Sequence, residues 1–334
     1  MGVYSGVSTH VLETIENSSE SIFVDSSSQT GLPVVCNLEY HSIQKFTSPV
    51  QSQYINSIVD VAGSAIMESN HQYPFLSTHD FQNQQLLSHD SQVIVAILDT
   101  GIDADHEAFR SLVVSEINFT DSPAGVLDTY GHGTPVAGII AANGDNNPGV
   151  QGIASNCRLL NVKVVDDRGH YTMSDLVEGI LWAVDNGANV INISLVSGEK
   201  SIELERAVDY AWQKGVVIVA AAGNGGTDIP VYPAAYDHCI AVTAAYDDGN
   251  LIPLANYGDW VDIAAPGYKI YSTLPGNNYG YMYGTSFATA YISGFAATIF
   301  PLVHDSNDDG KSNDEVRQLI LNKFPDNPIK FIQN

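Results

Sequence analysis

Unbroken apolar runs and segments with helical spacing alternate along the chain from about residue 93 onward. The runs are apolar at successive positions, which is typical of strands covered on both faces in a parallel sheet. Strands are predicted at 93–98, 158–165, 190–195 and 216–221, and helices at 173–186 and 202–214. This alternation predicts an α/β fold with three layers, α/β/α, in which helices cover both faces of a mostly parallel central sheet.

The N-terminal part of the chain has a different pattern. Ser, Thr and Glu are frequent in residues 1–32 with little periodicity, and only short elements are indicated from there to Tyr73. Over 75–90 the Gln, His and Ser content rises and the periodicity is lost, as in a linker or a surface arm. We therefore expect an N-terminal tail with a small α+β or irregular segment at 1–74, and a main domain at 75–334.

A mostly apolar run without charged residues extends from Ser286 to Val303. Its many small residues predict a helix that is buried on all sides. A short membrane-spanning helix is the alternative, because the run is nearly long enough to cross a bilayer. Gly284 precedes the run, Ser293, Gly294 and Pro301 interrupt it, and no basic residues flank it, which favours a core helix and no membrane span.

Composition limits the class of protein and its partners. With 334 residues, 44% of them hydrophobic, the chain can bury a large core. The formal net charge of -25, from 13 Lys and Arg against 38 Asp and Glu, argues against nucleic acid or an anionic membrane as a partner. Cys36, Cys157 and Cys239 are too widely spaced for a disulfide framework or a cysteine-rich zinc site. The first residues lack the basic and apolar regions of a signal peptide, which favours the cytoplasm over secretion.

Two polar residues lie at positions suited to chemistry. Asp99 directly follows the apolar run at 93–98, and ligands bind at the carboxyl ends of strands in open α/β sheets. A structural Asp that forms a turn through its own backbone is the alternative. His132 stands between Gly131 and Gly133 at a predicted helix start, which sets it apart from the other histidines.

Asn224 and Ser286 complete a set of reactive groups. Asn224 follows the strand at 216–221 in a glycine-rich turn, which brings an amide donor to the edge of the sheet. Ser286 lies between Gly284 and a helix, where first-turn N–H groups have no partners inside the helix and can meet an oxyanion. A carboxylate, an imidazole base, a hydroxyl nucleophile and an oxyanion donor are the groups that acyl transfer requires.

Asp99, His132, Asn224 and Ser286 occur in this order along the chain, each in its own glycine-framed motif. Over residues 75–324 these motifs resemble the subtilisin-like serine protease (subtilase) family. The resemblance implies a serine endopeptidase that hydrolyses peptide or protein substrates through an acyl-enzyme. Asp99 would orient His132, and His132 would deprotonate Ser286. Asn224 and the Ser286 N–H would form the oxyanion hole.

The resemblance also implies where the substrate lies. Ser194, Leu195 and Val196 correspond to the strand edge that holds an extended substrate by main-chain hydrogen bonds. The pocket for the residue before the scissile bond would be walled by Ala220, Ala221, Ala222 and Gly223. Val196 stands where the family usually has glycine, so we expect a narrow groove.

The family resemblance further implies a structural calcium ion and no organic cofactor. The loop at 143–150 resembles the family's calcium loop, with candidate ligand oxygens in Gly144, Asn146, Pro148 and Val150. The loop is one residue longer than usual, and Ala108 stands where the family supplies an Asp. A metal-free loop with an Asx turn is the alternative.

Several functional variants fit the same residues. A precursor-processing protease or a transpeptidase would use the same catalytic groups, and a catalytically silent protein could keep the groove for binding. Residues 32–73 occupy the place of the family's propeptide, so the N-terminal segment is a candidate inhibitor; an uncleaved extension is the alternative. The sequence 99–101, Asp-Thr-Gly, also matches an aspartic-protease motif, but the chain contains no second such motif.

Overall fold

A computed structural model of the chain describes residues 93–144 and 150–323. The strands of its main sheet are β1 (Ile94–Asp99), β2 (Val113–Asn118), β3 (Arg158–Lys163), β4 (Val190–Ile193), β5 (Val217–Ala221), β6 (Cys239–Ala245) and β7 (Ile263–Pro266). In the described residues these seven strands form one sheet in the order β2-β3-β1-β4-β5-β6-β7. Every neighbouring pair in this sheet is parallel.

Helices cover both faces of this sheet. They are α1 (Gly133–Ala141), α2 (Met173–Asp185), α3 (Ile202–Gln213), α4 (Thr285–Ile299) and α5 (Asn313–Lys323). Successive side chains of a strand point to opposite faces, and β1 shows both. Val95 and Ile97 belong to the core formed with α1 and α4, whereas Ala96 and Leu98 belong to the core formed with α2 and α3. The predicted three-layer α/β/α fold is therefore confirmed.

The elements predicted from apolar runs are present, with shorter ends. The predicted strand at 158–165 ends at Lys163, and the one at 190–195 ends at Ile193. After Ile193 the chain leaves the sheet, and Ser194 contacts α4, as described below. Sequence patterns did not predict β2, β6 and β7, which complete the two sides of the sheet.

The helix α4 is surrounded by protein, as predicted. All 15 of its residues are buried, and it contacts strands β4, β5, β6 and β7 as well as α1. Its small side chains allow this close approach from several directions. Among the helices of the described residues, none combines the length and hydrophobicity of a bilayer-spanning segment.

A two-stranded antiparallel hairpin supports the start of α1. It consists of β8 (Ile270–Leu274) and β9 (Asn278–Met282). The Ser272 hydroxyl donates to the Pro135 carbonyl oxygen at 2.7 Å, and the Thr273 hydroxyl donates to the Thr134 carbonyl oxygen at 2.8 Å. These bonds fix the first turn of α1 relative to the hairpin. The N-terminal segment predicted at 1–74 lies outside the described residues, so its boundary stays a prediction.

Candidate active site

Asp99 ends β1 and is completely buried. Its Oδ1 atom accepts a hydrogen bond from the Thr100 N–H at 2.7 Å and lies 2.8 Å from Nδ1 of His132. The bond from the Thr100 N–H is typical of an Asp that forms a turn with its own backbone, which was the alternative interpretation of Asp99. The contact with Nδ1 is the predicted pairing with an imidazole. Asp99 therefore has both roles, and its partner is a histidine rather than the second carboxylate of an aspartic protease.

His132 is placed at the start of α1 by the glycine that follows it. A Cβ atom at Gly133 would lie 2.1 Å from the carbonyl oxygen of Gly101 and 3.1 Å from Cβ of Asp99. A side chain there would push α1 away from the end of β1, so glycine is required for the contact between the imidazole and the carboxylate. The His132 ring is also 5.5 Å from the Phe287 ring, centroid to centroid, which places it beside the first turn of α4.

A second buried carboxylate, Asp128, holds the residues on both sides of His132. Its Oδ1 accepts from the Thr100 hydroxyl at 2.8 Å and from the Gly131 N–H at 2.7 Å. Its Oδ2 accepts from the Thr134 N–H at 2.8 Å, in the first turn of α1. Sequence reasoning did not find Asp128, although its position four residues before His132 is visible in the sequence. Nothing in the local pattern shows that it is buried.

The buried residue Lys163 joins two of the turns that carry this network. Lys163 is opposite Asp99 in the register of β3 and β1, and its side chain is completely buried. Its Nζ donates to the carbonyl oxygens of Thr100 and Leu127 and lies 3.1 Å from Oδ1 of Asp167. Burial alone would raise the pKa of the Asp167 carboxyl, but hydrogen bonds from Lys163 and other donors hold that pKa below its ordinary value.

Ser286 lies in the first turn of α4 and is completely buried. Its Oγ is 3.5 Å from the carbonyl oxygen of Ser194, and the Ser194 hydroxyl donates to the Ser286 carbonyl oxygen at 3.2 Å. The segment that follows β4 is therefore in direct contact with the nucleophile candidate. The strand predicted at 190–195 therefore ends where this contact begins.

The orientation of the Asn224 amide is fixed by its own oxygen. Oδ1 accepts from the Thr285 N–H at 3.0 Å, and the Thr285 hydroxyl accepts from the Gly223 N–H at 3.1 Å. Because Oδ1 is held in this way, Nδ2 must point to the other side. Nδ2 is buried and has no hydrogen-bond partner among the described residues. Next to Ser286, such a donor is available for an oxyanion.

The predicted substrate residues lie on two neighbouring segments beside Ser286. Residues 194–196 follow β4, and residues 220–223 comprise the end of β5 and the turn after it. Because β4 and β5 are adjacent and parallel, both segments lie at the same edge of the sheet. The structure therefore brings these residues together with the catalytic candidates.

The predicted calcium loop is described only at its two ends. Gly144 and Val150 flank it, and the Gly144 N–H donates to Oε1 of Gln151 at 3.1 Å. Asn146 and Pro148 lie outside the described residues. Within residues 93–144 and 150–323, no group of three or more His, Cys, Asp and Glu side chains is arranged to hold a metal ion.

Comparison with known proteins matches residues 90–333 to the model of the Subtilase family. The chain belongs to the subtilase family. This confirms the family predicted from the four motifs and, with it, a subtilisin-type serine protease.

Individual relatives of this subtilase agree. It is 43% identical over 226 residues to the thermophilic serine proteinase of Bacillus sp. strain AK1, a match that covers 68% of the chain and 55% of that relative. It is 37% identical over 256 residues to thermitase of Thermoactinomyces vulgaris, covering 75% of the chain and 89% of thermitase. The crystal structure of a cold adapted subtilisin-like serine proteinase matches with a TM-score of 0.61 and 32% identity, covering 68% of the chain and 80% of that structure.

Proposed function

We propose that this subtilase hydrolyses internal peptide bonds through an acyl-enzyme formed on Ser286. The observation that carries the proposal is the 2.8 Å contact between Nδ1 of His132 and Oδ1 of Asp99, both buried, with the His132 ring beside Phe287 in the first turn of α4. With Nδ1 donating to the carboxylate, the other ring nitrogen, Nε2, is the atom that would take the Ser286 proton.

The steps follow from these positions. Ser286 Oγ attacks the substrate carbonyl carbon while its proton passes to His132 Nε2. The negative charge that forms on the carbonyl oxygen is stabilised by Asn224 Nδ2 and the Ser286 N–H. His132 then gives the proton to the leaving amine, and the C–N bond breaks. Water repeats the sequence on the acyl-enzyme and restores the Ser286 hydroxyl. Asp99 keeps the imidazole in the correct tautomer throughout.

A fluorophosphonate probe followed by intact-mass measurement tests this assignment. We expect stoichiometric labelling of the wild type, and no labelling of Ser286→Ala or His132→Ala. Ser293→Ala is the matched control, because Ser293 is also buried in α4 and its hydroxyl donates to Asn192 Oδ1 at 2.9 Å. Labelling that persists in Ser286→Ala would overturn the proposal. An unlabelled wild type would favour the silent, groove-binding variant. Products that carry an added amine would show transpeptidation.

For the substrate we propose an extended peptide that lies along residues 194–196, with the wall of one side-chain pocket formed by residues 220–223. The segment 1–74 is proposed as an inhibitor of this groove that the protease removes from itself. The test is the mass of the purified protein. We expect loss of an N-terminal fragment from the wild type and full length for Ser286→Ala. Equal masses would contradict self-removal.

We also propose a structural calcium ion at the loop 143–150. The described ends of the loop, Gly144, Val150 and the neighbouring Gln151, carry amide and carbonyl oxygens, which suit a hard cation. Ala108 lacks the carboxylate expected there, so we expect weak binding. The thermal midpoint of Ser286→Ala should fall when a calcium chelator is added and recover with excess calcium. An unchanged midpoint would support the metal-free loop.

A further inference from the structure

The side chain of Val196 occupies the gap between the two segments beside Ser286. A Cβ atom at Gly223 would lie 3.5 Å from Cγ1 of Val196, which is ordinary van der Waals contact. Val196 is only 6% exposed and packs in an apolar cluster with Ala221, Val231 and Trp260. The valine methyl groups therefore fill space that a glycine at this position would leave open.

This gap is next to the reacting atoms. Val196 lies two residues after Ser194, whose carbonyl oxygen is 3.5 Å from Ser286 Oγ. Across the gap, Gly223 directly precedes Asn224 in the chain. A substrate carbonyl that is attacked by Ser286 and held by Asn224 Nδ2 lies between the two segments. The side chain of the residue that supplies this carbonyl would then lie at the gap.

Val196 is held in place from several directions. The Tyr171 hydroxyl donates to the Val196 carbonyl oxygen at 2.8 Å. The next residue, Ser197, exchanges two backbone hydrogen bonds with Tyr232, at 2.7 and 2.8 Å. These bonds fix the backbone at the Val196 carbonyl and at Ser197, so this segment cannot move away from a large substrate group without breaking them.

We propose that Val196 is a specificity-determining residue that restricts this protease to substrates with a small residue, glycine, alanine or serine, on the acyl side of the scissile bond. The inference rests on the proposed function, since it presumes that Ser286 and Asn224 hold the substrate carbonyl. Larger side chains are excluded because a filled, apolar and rigid pocket does not accept additional carbon atoms.

The test compares three peptide nitroanilides that are identical except for Ala, Leu or Phe before the scissile bond. A single methylene in an apolar pocket changes kcat/KM by about 10–200-fold, so we expect the wild type to prefer Ala over Phe by at least about 100-fold. In Val196→Gly, the ratio of kcat/KM for Phe to that for Ala should rise by at least about 50-fold. Val216→Ala is the matched control, because Val216 is also buried, at 3% exposed, and lies at the amino end of β5, opposite the carboxyl end that carries residues 220–223. Its ratio should equal that of the wild type.

A wild type that cleaves after Phe as well as after Ala would overturn the inference, as would a Val196→Gly variant with an unchanged ratio. Fluorophosphonate labelling separates an error in the specificity assignment from an error in the proposed function. An enzyme that is labelled but shows no preference between Ala and Phe would contradict only the specificity assignment. If Val196→Gly does not fold, Val196→Ala replaces it and should give a Phe-to-Ala ratio of kcat/KM between those expected for the wild type and for Val196→Gly. The ratio of the wild type tests the inference whether or not either variant folds.

Discussion

Replacing Asp128 by Asn removes a charge and turns one acceptor into a donor with almost no change of shape. The carboxylate accepts three hydrogen bonds, from the Thr100 hydroxyl and from the N–H groups of Gly131 and Thr134. The asparagine amide has one oxygen, which can replace only one of the two carboxylate oxygens. The NH2 group in place of the other oxygen then faces at least one N–H group that has lost its acceptor. A hydrogen bond to a charged group is worth about 1.5–3 kcal/mol, so we expect Asp128→Asn to lose about 3 kcal/mol of stability. This corresponds to a melting temperature lower by roughly 6–12 °C.

The effect on catalysis follows from what Asp128 holds. Gly131 and Thr134 lie on either side of His132, and a displacement of about 1 Å in a catalytic group can reduce the rate about 10²-fold. We therefore expect kcat/KM of Asp128→Asn to fall by roughly 10–100-fold, counted per site labelled by the fluorophosphonate.

Melting of Asp128→Asn is best measured in the Ser286→Ala background, where self-digestion cannot occur. The control is Asp121→Asn, which changes an exposed carboxylate in the same loop before His132. We expect this control to match the wild type in both measurements. An Asp128→Asn protein with unchanged melting and unchanged kcat/KM would refute the reasoning that this carboxylate positions His132.

Three further predictions concern other parts of the described structure. Asn224→Ala should lower kcat by about 10²–10³-fold with little change in KM, because it removes a donor needed in the transition state; a loss below tenfold would contradict this role. Asp167→Asn should destabilise the protein at neutral pH, because Lys163 stabilises the ionised form and keeps the folded pKa low. That stability is present above the unfolded pKa of about 3.9 and is lost as the pH falls through the folded pKa, so wild-type and variant melting curves should converge in acid. Gly138→Ala should cost about 1–3 kcal/mol, since its Cβ would lie 2.3 Å from Oγ1 of Thr273; unchanged melting would show that α1 and the hairpin can move apart.

Much of the fold could be predicted from hydrophobic patterns because buried parallel strands are continuously apolar. This holds for β1, β4 and β5, and for α4, whose small residues indicated burial on all sides. The pattern also missed β7 and β6, although all seven residues of β6 are buried. It failed for β2, where exposed and partly buried residues alternate at the edge of the sheet, and for the hairpin of β8 and β9, whose strands are only partly buried. Edge elements lack the strong apolar signal, since their outer side faces solvent.

The candidate groups of the site could be selected from the sequence because each lies in a recognisable local context. Asp99, His132 and Ser286 are each flanked by glycine turns or element ends, where backbone geometry restricts the sequence. Asp128 and Lys163 have no such context. Both residues bind a partner that is distant in the chain. Thr100 lies 28 residues before Asp128 and 63 residues before Lys163. A buried lysine is also opposite to what composition suggests, because unpaired lysines are almost always exposed.

The strand order explains why these distant groups meet at one place. From β1 the chain builds β2 and β3 on one side of β1, and then returns to build β4 to β7 on the other side. The direction in which strands are added thus reverses between β1 and β4. The chain connections on the two sides of this point leave a crevice at the carboxyl ends of β1 and β4, which is where ligands bind in such sheets. Asp99 and Ser194 lie on its two sides, and the first turn of α4 with Ser286 contacts Ser194. The partial positive charge of the helix N-terminus is thus directed at the place where the oxyanion would form. The topology therefore brings the proposed nucleophile, the proposed base with its carboxylate partner and a field that favours negative charge to the same crevice.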